Sequence, residues 1–116
     1  MKFKEIALKK IERSLSGPSD FDYFLAGLYL HETKTDLPLA LVYVQKATKN
    51  ENALFFQVYR EALILRDLKR NTEALESAKR SLKLSKKINN NDFIRLNNRL
   101  IEELSKHNRL KSNKSQ

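Results

Sequence analysis

Cysteine is absent from this chain of 116 residues, so disulfides, thiolate metal sites and cysteine nucleophiles are all excluded. Tryptophan is absent as well, and only 2 Gly and 2 Pro occur, too few for the many tight turns of an all-β sandwich or barrel. Phosphate cradles and nucleophile elbows need glycines at fixed offsets, and no G-x-x-x-x-G-K-[ST], G-x-G-x-x-G or G-x-S-x-G is present. The longest apolar run, Leu37 to Val44, contains Pro38 and is far too short to cross a bilayer. Met1-Lys2-Phe3-Lys4 opens a charged amphipathic stretch, not the apolar core of a signal peptide, so for a full-length chain the expected compartment is the cytoplasm. His31 and His107 are distant from each other and lack neighbouring ligands. Glu102 and Glu103 are adjacent, so on a helix they point about 100° apart, which defeats a shared metal or an acid–base pair. These absences predict a protein without metal, cofactor or side-chain catalysis.

What is present is charge and helical periodicity. Hydrophobic residues make 41% of the chain and charged residues 32%, on the globular side of the disorder boundary. The formal net charge is +9, unevenly spread: residues 18–52 hold three basic and five acidic side chains, residues 53–87 nine basic and four acidic. Such a balance favours acidic partners, such as nucleic acid, an anionic membrane surface or an acidic protein, although a solvated helix face is the simpler account of these lysines.

Phe3, Ala7, Ile11 and Leu15 recur every four residues and predict a first one-faced helix, ended by Gly17-Pro18. A second helix, from about Asp20 to Glu32, is apolar on nearly every side and should therefore lie between neighbours. Asp36 is a good N-cap with Pro38 in the first turn, and a third helix follows to about Lys49. Phe55, Val58, Tyr59, Ala62, Leu65 and Leu68 place a fourth helix over 53–69. Ala74, Leu75, Ala78 and Leu82, with Ser81, give a fifth over 73–87, capped by Asn71 or Thr72. Phe93, Leu96, Leu100, Ile101 and Leu104 give a sixth over 91–106, after which residues 107–116 read as a flexible basic tail. The fold class expected is all-α, with about six helices joined by short loops.

Shifting the sequence by 34 residues places Ala40, Val44 and Ala47 on Ala74, Ala78 and Ser81. Small residues on one helix face let a partner helix approach closely, so this spacing is a packing constraint. Tyr23, Ala26, Gly27 and Leu30 on the second helix are echoed by Val58, Glu61, Ala62 and Leu65 on the fourth, and by Phe93, Leu96, Asn97 and Leu100 on the sixth. The pattern resembles the tetratricopeptide repeat, a helix hairpin with a period of 34 residues. It departs from that family in lacking Trp, in lacking a Pro at the close of either repeat, in Glu61, and in a turn one residue longer in the first repeat. The organisation expected is an N-terminal partial repeat or cap (1–16), repeat one (20–52), repeat two (53–88) and a C-terminal capping helix; a generic helical bundle is the competing architecture.

The resemblance implies a right-handed superhelix whose first helices line a concave groove for partner peptides or helices. Carried over by position, Phe21, Phe24, Leu28 and His31 line the groove from repeat one, and Phe56, Tyr59, Leu63 and Arg66 from repeat two. Phe24 and Leu28 stand where carboxylate-clamping members carry Lys and Asn, so the expected ligand is an amphipathic helix or apolar peptide. Self-pairing in a homodimer, or coverage of these rings by a terminal helix, are the competing outcomes. The second surface singled out is Lys79, Arg80, Lys83, Lys86 and Lys87, which would contact nucleic acid or another anionic partner through phosphate-like charge.

Overall fold

The structure, a computed structural model, describes the backbone of residues 2–13 and 17–114 and the side chains of 4–12 and 17–107. It is all-α. The helices are α1 (Lys2–Arg13), α2 (Asp20–Thr33), α3 (Leu37–Thr48), α4 (Phe55–Asp67), α5 (Asn71–Lys87) and α6 (Asn91–Lys114). The chain divides into two compact units, Met1–Ala53 and Leu54–Gln116.

In the first unit α2 packs against both α1 and α3, as an all-round apolar helix must. Lys4 pairs with Glu32, and Lys10 Nζ meets Asp22 at 3.3 Å, so α1 runs antiparallel to α2. Ser19 caps α2 reciprocally: its hydroxyl accepts from the Asp22 N–H while its own N–H donates to the Asp22 carboxylate. The α2–α3 hairpin closes on small residues. Ala26, Ala40 and Val44 have no exposed surface, Ala47 retains 2%, and Gly27 is buried against Val44 and Ala40. Ser14 and Leu15, expected at the end of the first helix, lie outside the described residues.

The second unit repeats the hairpin with α4 and α5 and adds α6. Ala62, Ala74, Ala78 and Ser81 are fully buried, so this hairpin too closes on small residues. Burying Val58, Ile64, Leu65, Leu100 and Leu104 supplies about 1.5–3 kcal/mol each. Ser77 Oγ donates to Glu61 at 3.3 Å and Ser81 Oγ donates to the Phe55 carbonyl at 2.8 Å, which sets α5 antiparallel to α4. Phe93 meets Phe55 and Arg66 meets Glu103, so α6 runs parallel to α4.

Three hairpin turns share one construction. Lys34, Lys69 and Asn89 adopt φ of 53°, 66° and 58°, and each turn donates two backbone N–H groups back into the preceding helix. In the first turn Thr35 stands between the left-handed Lys34 and the N-cap Asp36, whereas in the second Lys69 leads directly to the N-cap Arg70. Thr35 is thus the extra residue expected from the sequence. Two boundaries differ from expectation. α5 begins at Asn71 with Arg70 as its N-cap, because Arg70 and Glu73 lock the first turn with hydrogen bonds of 2.8 and 2.7 Å. α6 continues to Lys114, so most of the expected flexible tail is helical; 107–114 contains neither Gly nor Pro to stop it.

Candidate functional site

The eight residues expected to line a groove divide equally between the two units. In the first unit, Phe21 is exposed and Leu28 half-buried, whereas Phe24 and His31 keep only 5% and 7% of their surface. Those last two are core positions, because α2 is covered on two sides and its uniform apolarity does not single out an outward face. Tyr23, not among the eight, packs its ring on Tyr43 with centroids 5.6 Å apart, and the Lys46 ammonium lies 5.4 Å from the Tyr23 ring centre.

In the second unit, Phe56, Tyr59, Leu63 and Arg66 are all half-buried on α4. The 3.6-residue period of α4 sends Val58, Ala62 and Leu65 into the core and leaves Tyr59 and Arg66 facing α6. The Phe93 ring sits edge-on to Phe55 at 4.8 Å and to Tyr59 at 5.4 Å, and Phe55 meets Phe56 at 5.5 Å, within the range of favourable aromatic pairs. Arg66 reaches Asp67 at 3.4 Å and Glu103 at 3.6 Å.

Along this seam runs a furrow of three adjoining pockets. One of about 160 Å³ is lined by Tyr59, Arg66, Leu96, Arg99, Leu100 and Glu103. A second, of about 250 Å³, shares Arg66 and Glu103 and extends to Lys69, Asn71 and His107. A third, of about 280 Å³, shares Leu96 and Arg99 and adds Asp92 and Arg95. The furrow thus combines an apolar floor with a mixed-charge rim, in which Arg66 and Arg95 pair with Asp67, Glu103 and Asp92 and Arg99 adds a further forked donor. Tyr59 and Arg66, two of the eight expected groove residues, line this furrow; Leu96, Arg95 and Arg99 were not among the eight, and the four-residue spacing of the two arginines was the available signal.

Lys79, Arg80, Lys83, Lys86 and Lys87 are all exposed on α5, opposite the buried Ala74, Ala78, Ser81 and Ser85. Glu73 is held by Arg70, and that bond keeps its carboxyl below the ordinary range. Among the described residues no cluster of three His, Asp or Glu side chains is arranged to hold a metal, and no helix is long and apolar enough to cross a membrane.

A buried polar seam joins α5 to α6. Asn97, with no exposed surface, donates its side-chain amide to Ser81 Oγ and to the Phe93 carbonyl, each at 2.9 Å. Its Oδ1 has no partner among the described residues. Compared with family models, curated proteins and solved structures, the chain matches none.

Proposed function

We propose that the chain is a non-catalytic interaction module of tetratricopeptide-like hairpins, and that its second unit takes a partner peptide or helix in the α4–α6 furrow. The observation that carries this reading is the furrow itself: three contiguous pockets with Tyr59, Leu96 and Leu100 as floor and Arg66, Arg95 and Arg99 along the rim. Apolar anchors beside Arg99, in a rim where Asp67, Glu103 and Asp92 pair with Arg66 and Arg95, suit an amphipathic segment that brings an acidic residue to Arg99. The repeated turns at Lys34 and Lys69 and the matched alanine faces support the repeat assignment.

Panning random 15-residue peptides against the immobilised full chain tests it. Enriched peptides should pair apolar with acidic residues and should lose affinity about tenfold or more on Leu96→Asp or Arg99→Glu, both at exposed positions. Enriched peptides that bind these variants as tightly as the parent would dismiss the furrow.

A further inference from the structure

Of the net charge of +9, the second unit carries fifteen basic and seven acidic residues while the first is nearly balanced, with eight and seven. The excess is not diffuse. Residues 77–91 contain no Asp or Glu and include all five cations of the α5 face. Lys79, Lys83 and Lys87 repeat every four residues, a line about 12 Å long with about 6 Å between steps.

Five of the seven acids of this unit are engaged elsewhere. Glu61 is buried and accepts from Ser77, Asp67 and Glu103 meet Arg66, Glu73 holds Arg70, and Asp92 meets Arg95. Glu76 stands one turn before Arg80, and Glu102 is on α6. The side-chain ammonium groups of Lys79, Lys83, Lys86 and Lys87 make no ion pair or hydrogen bond with a described residue. Like charges four apart on a helix oppose its formation, so this line persists against a local electrostatic cost. It is also held rigidly, because Ala78, Ser81 and Ser85 fix the opposite face of the same helix with no exposed surface.

We propose that the α5 lysine line binds the phosphate backbone of a nucleic acid, without reading its sequence. Lysine offers a compact point charge suited to phosphate, and the line interposes no ring or apolar side chain, as membrane insertion or a protein interface core requires. Binding of this kind rests on counterion release and carries a salt dependence set by the number of phosphates contacted. The residues involved are separate from the α4–α6 furrow, so either reading can fail without the other.

The test is fluorescence anisotropy of the full chain with a labelled 24-base-pair DNA duplex of random sequence. Four lysine–phosphate contacts give a log–log salt slope of about −3.6, so affinity falls about 150-fold between 50 and 200 mM NaCl. Lys79→Gln/Lys83→Gln/Lys87→Gln should make the slope shallower by about 2.5–3, and the matching Arg triple should retain it. Lys9→Gln/Lys34→Gln/Lys49→Gln removes equal charge from the first unit and should leave the slope unchanged. Circular dichroism on every variant establishes that helicity is kept. The proposal is overturned if the α5 triple and the first-unit triple lose affinity equally, if the α5 triple binds as the parent does, or if the parent prefers phosphatidylserine vesicles or polyglutamate to the duplex.

Discussion

Gly27 lies so close to Val44 that a Cβ on it would come within 2.6 Å of Val44 Cγ2 and 2.9 Å of the Ala40 carbonyl oxygen. The second of these neighbours is backbone and cannot rotate away, so the α2–α3 hairpin depends on the absence of a side chain here. Gly27→Ala gains about 1 kcal/mol in helix propensity but forces the helices apart, for a net loss of about 1–3 kcal/mol. Val44→Ala alone should cost about 2 kcal/mol, and the double variant should lose less than the sum of the two. Urea unfolding of the four proteins checks this; strict additivity would show that the contact is not what holds the helices together.

Lys69 closes α4 in a left-handed conformation, φ 66°, that a Cβ disfavours. Lys69→Gly should stabilise the protein by about 0.5–1 kcal/mol, since relief of that strain outweighs the added freedom of the unfolded chain. Lys69→Val should destabilise it. Thermal melts of both variants decide the sign.

The Ser19 N–H is the main reason that the Asp22 carboxyl lies below its ordinary 3.8, with the Ser19 hydroxyl and Lys10 acting in the same direction. A depressed carboxyl stabilises the fold above its unfolded value, and that support is lost as pH falls through the folded value. Asp22→Asn should therefore melt below the parent at pH 6, and the two melting curves should converge below about pH 3.8 as the parent carboxyl takes up its proton. A gap that stays constant from about pH 6 to about pH 2 would mean that ionisation of Asp22 contributes nothing.

Asn97 donates its side-chain amide to Ser81 Oγ at 2.9 Å inside the second unit, and Ser81 Oγ in turn donates to the Phe55 carbonyl. Ser81→Ala removes the bond to that carbonyl, leaves one Asn97 N–H unpaired and should cost about 1–3 kcal/mol. Asn97→Asp places a buried carboxylate next to the Phe93 carbonyl and should cost about 3–5 kcal/mol at neutral pH, with partial recovery in acid as the group becomes neutral. Chemical denaturation at about pH 7 and about pH 4 separates the two effects.

The helices and the small-residue faces were legible because periodicity reports which side of a helix is dry. Ala40, Val44, Ala47, Ala74, Ala78 and Ser81 all keep 2% of their surface or less, where the 34-residue shift puts them. The orientation of the aromatics on α2 was not legible. With apolar residues on every side of that helix, no phase distinguishes buried Phe24 from exposed Phe21. Polar side chains misled for a different reason: Glu61 and Asn97 are buried through hydrogen bonds to serines on α5, and such pairings depend on the neighbouring helix, not on local sequence. Arg99 and Leu96 entered the furrow unannounced because the register of α6 against α4 is set by the Phe93 contacts.

Within each unit, helices pack mainly on the helices next to them in the chain, through turns of three residues in the α2–α3, α4–α5 and α5–α6 hairpins. Closing such short loops costs little chain entropy, which places folding in the microsecond-to-millisecond range typical of local helical topologies. The residues up to Ala53 form a compact unit of their own, and since domains generally fold as units from the N-terminal side, a growing chain is expected to shelter that unit's apolar surface before the cationic half has left the ribosome.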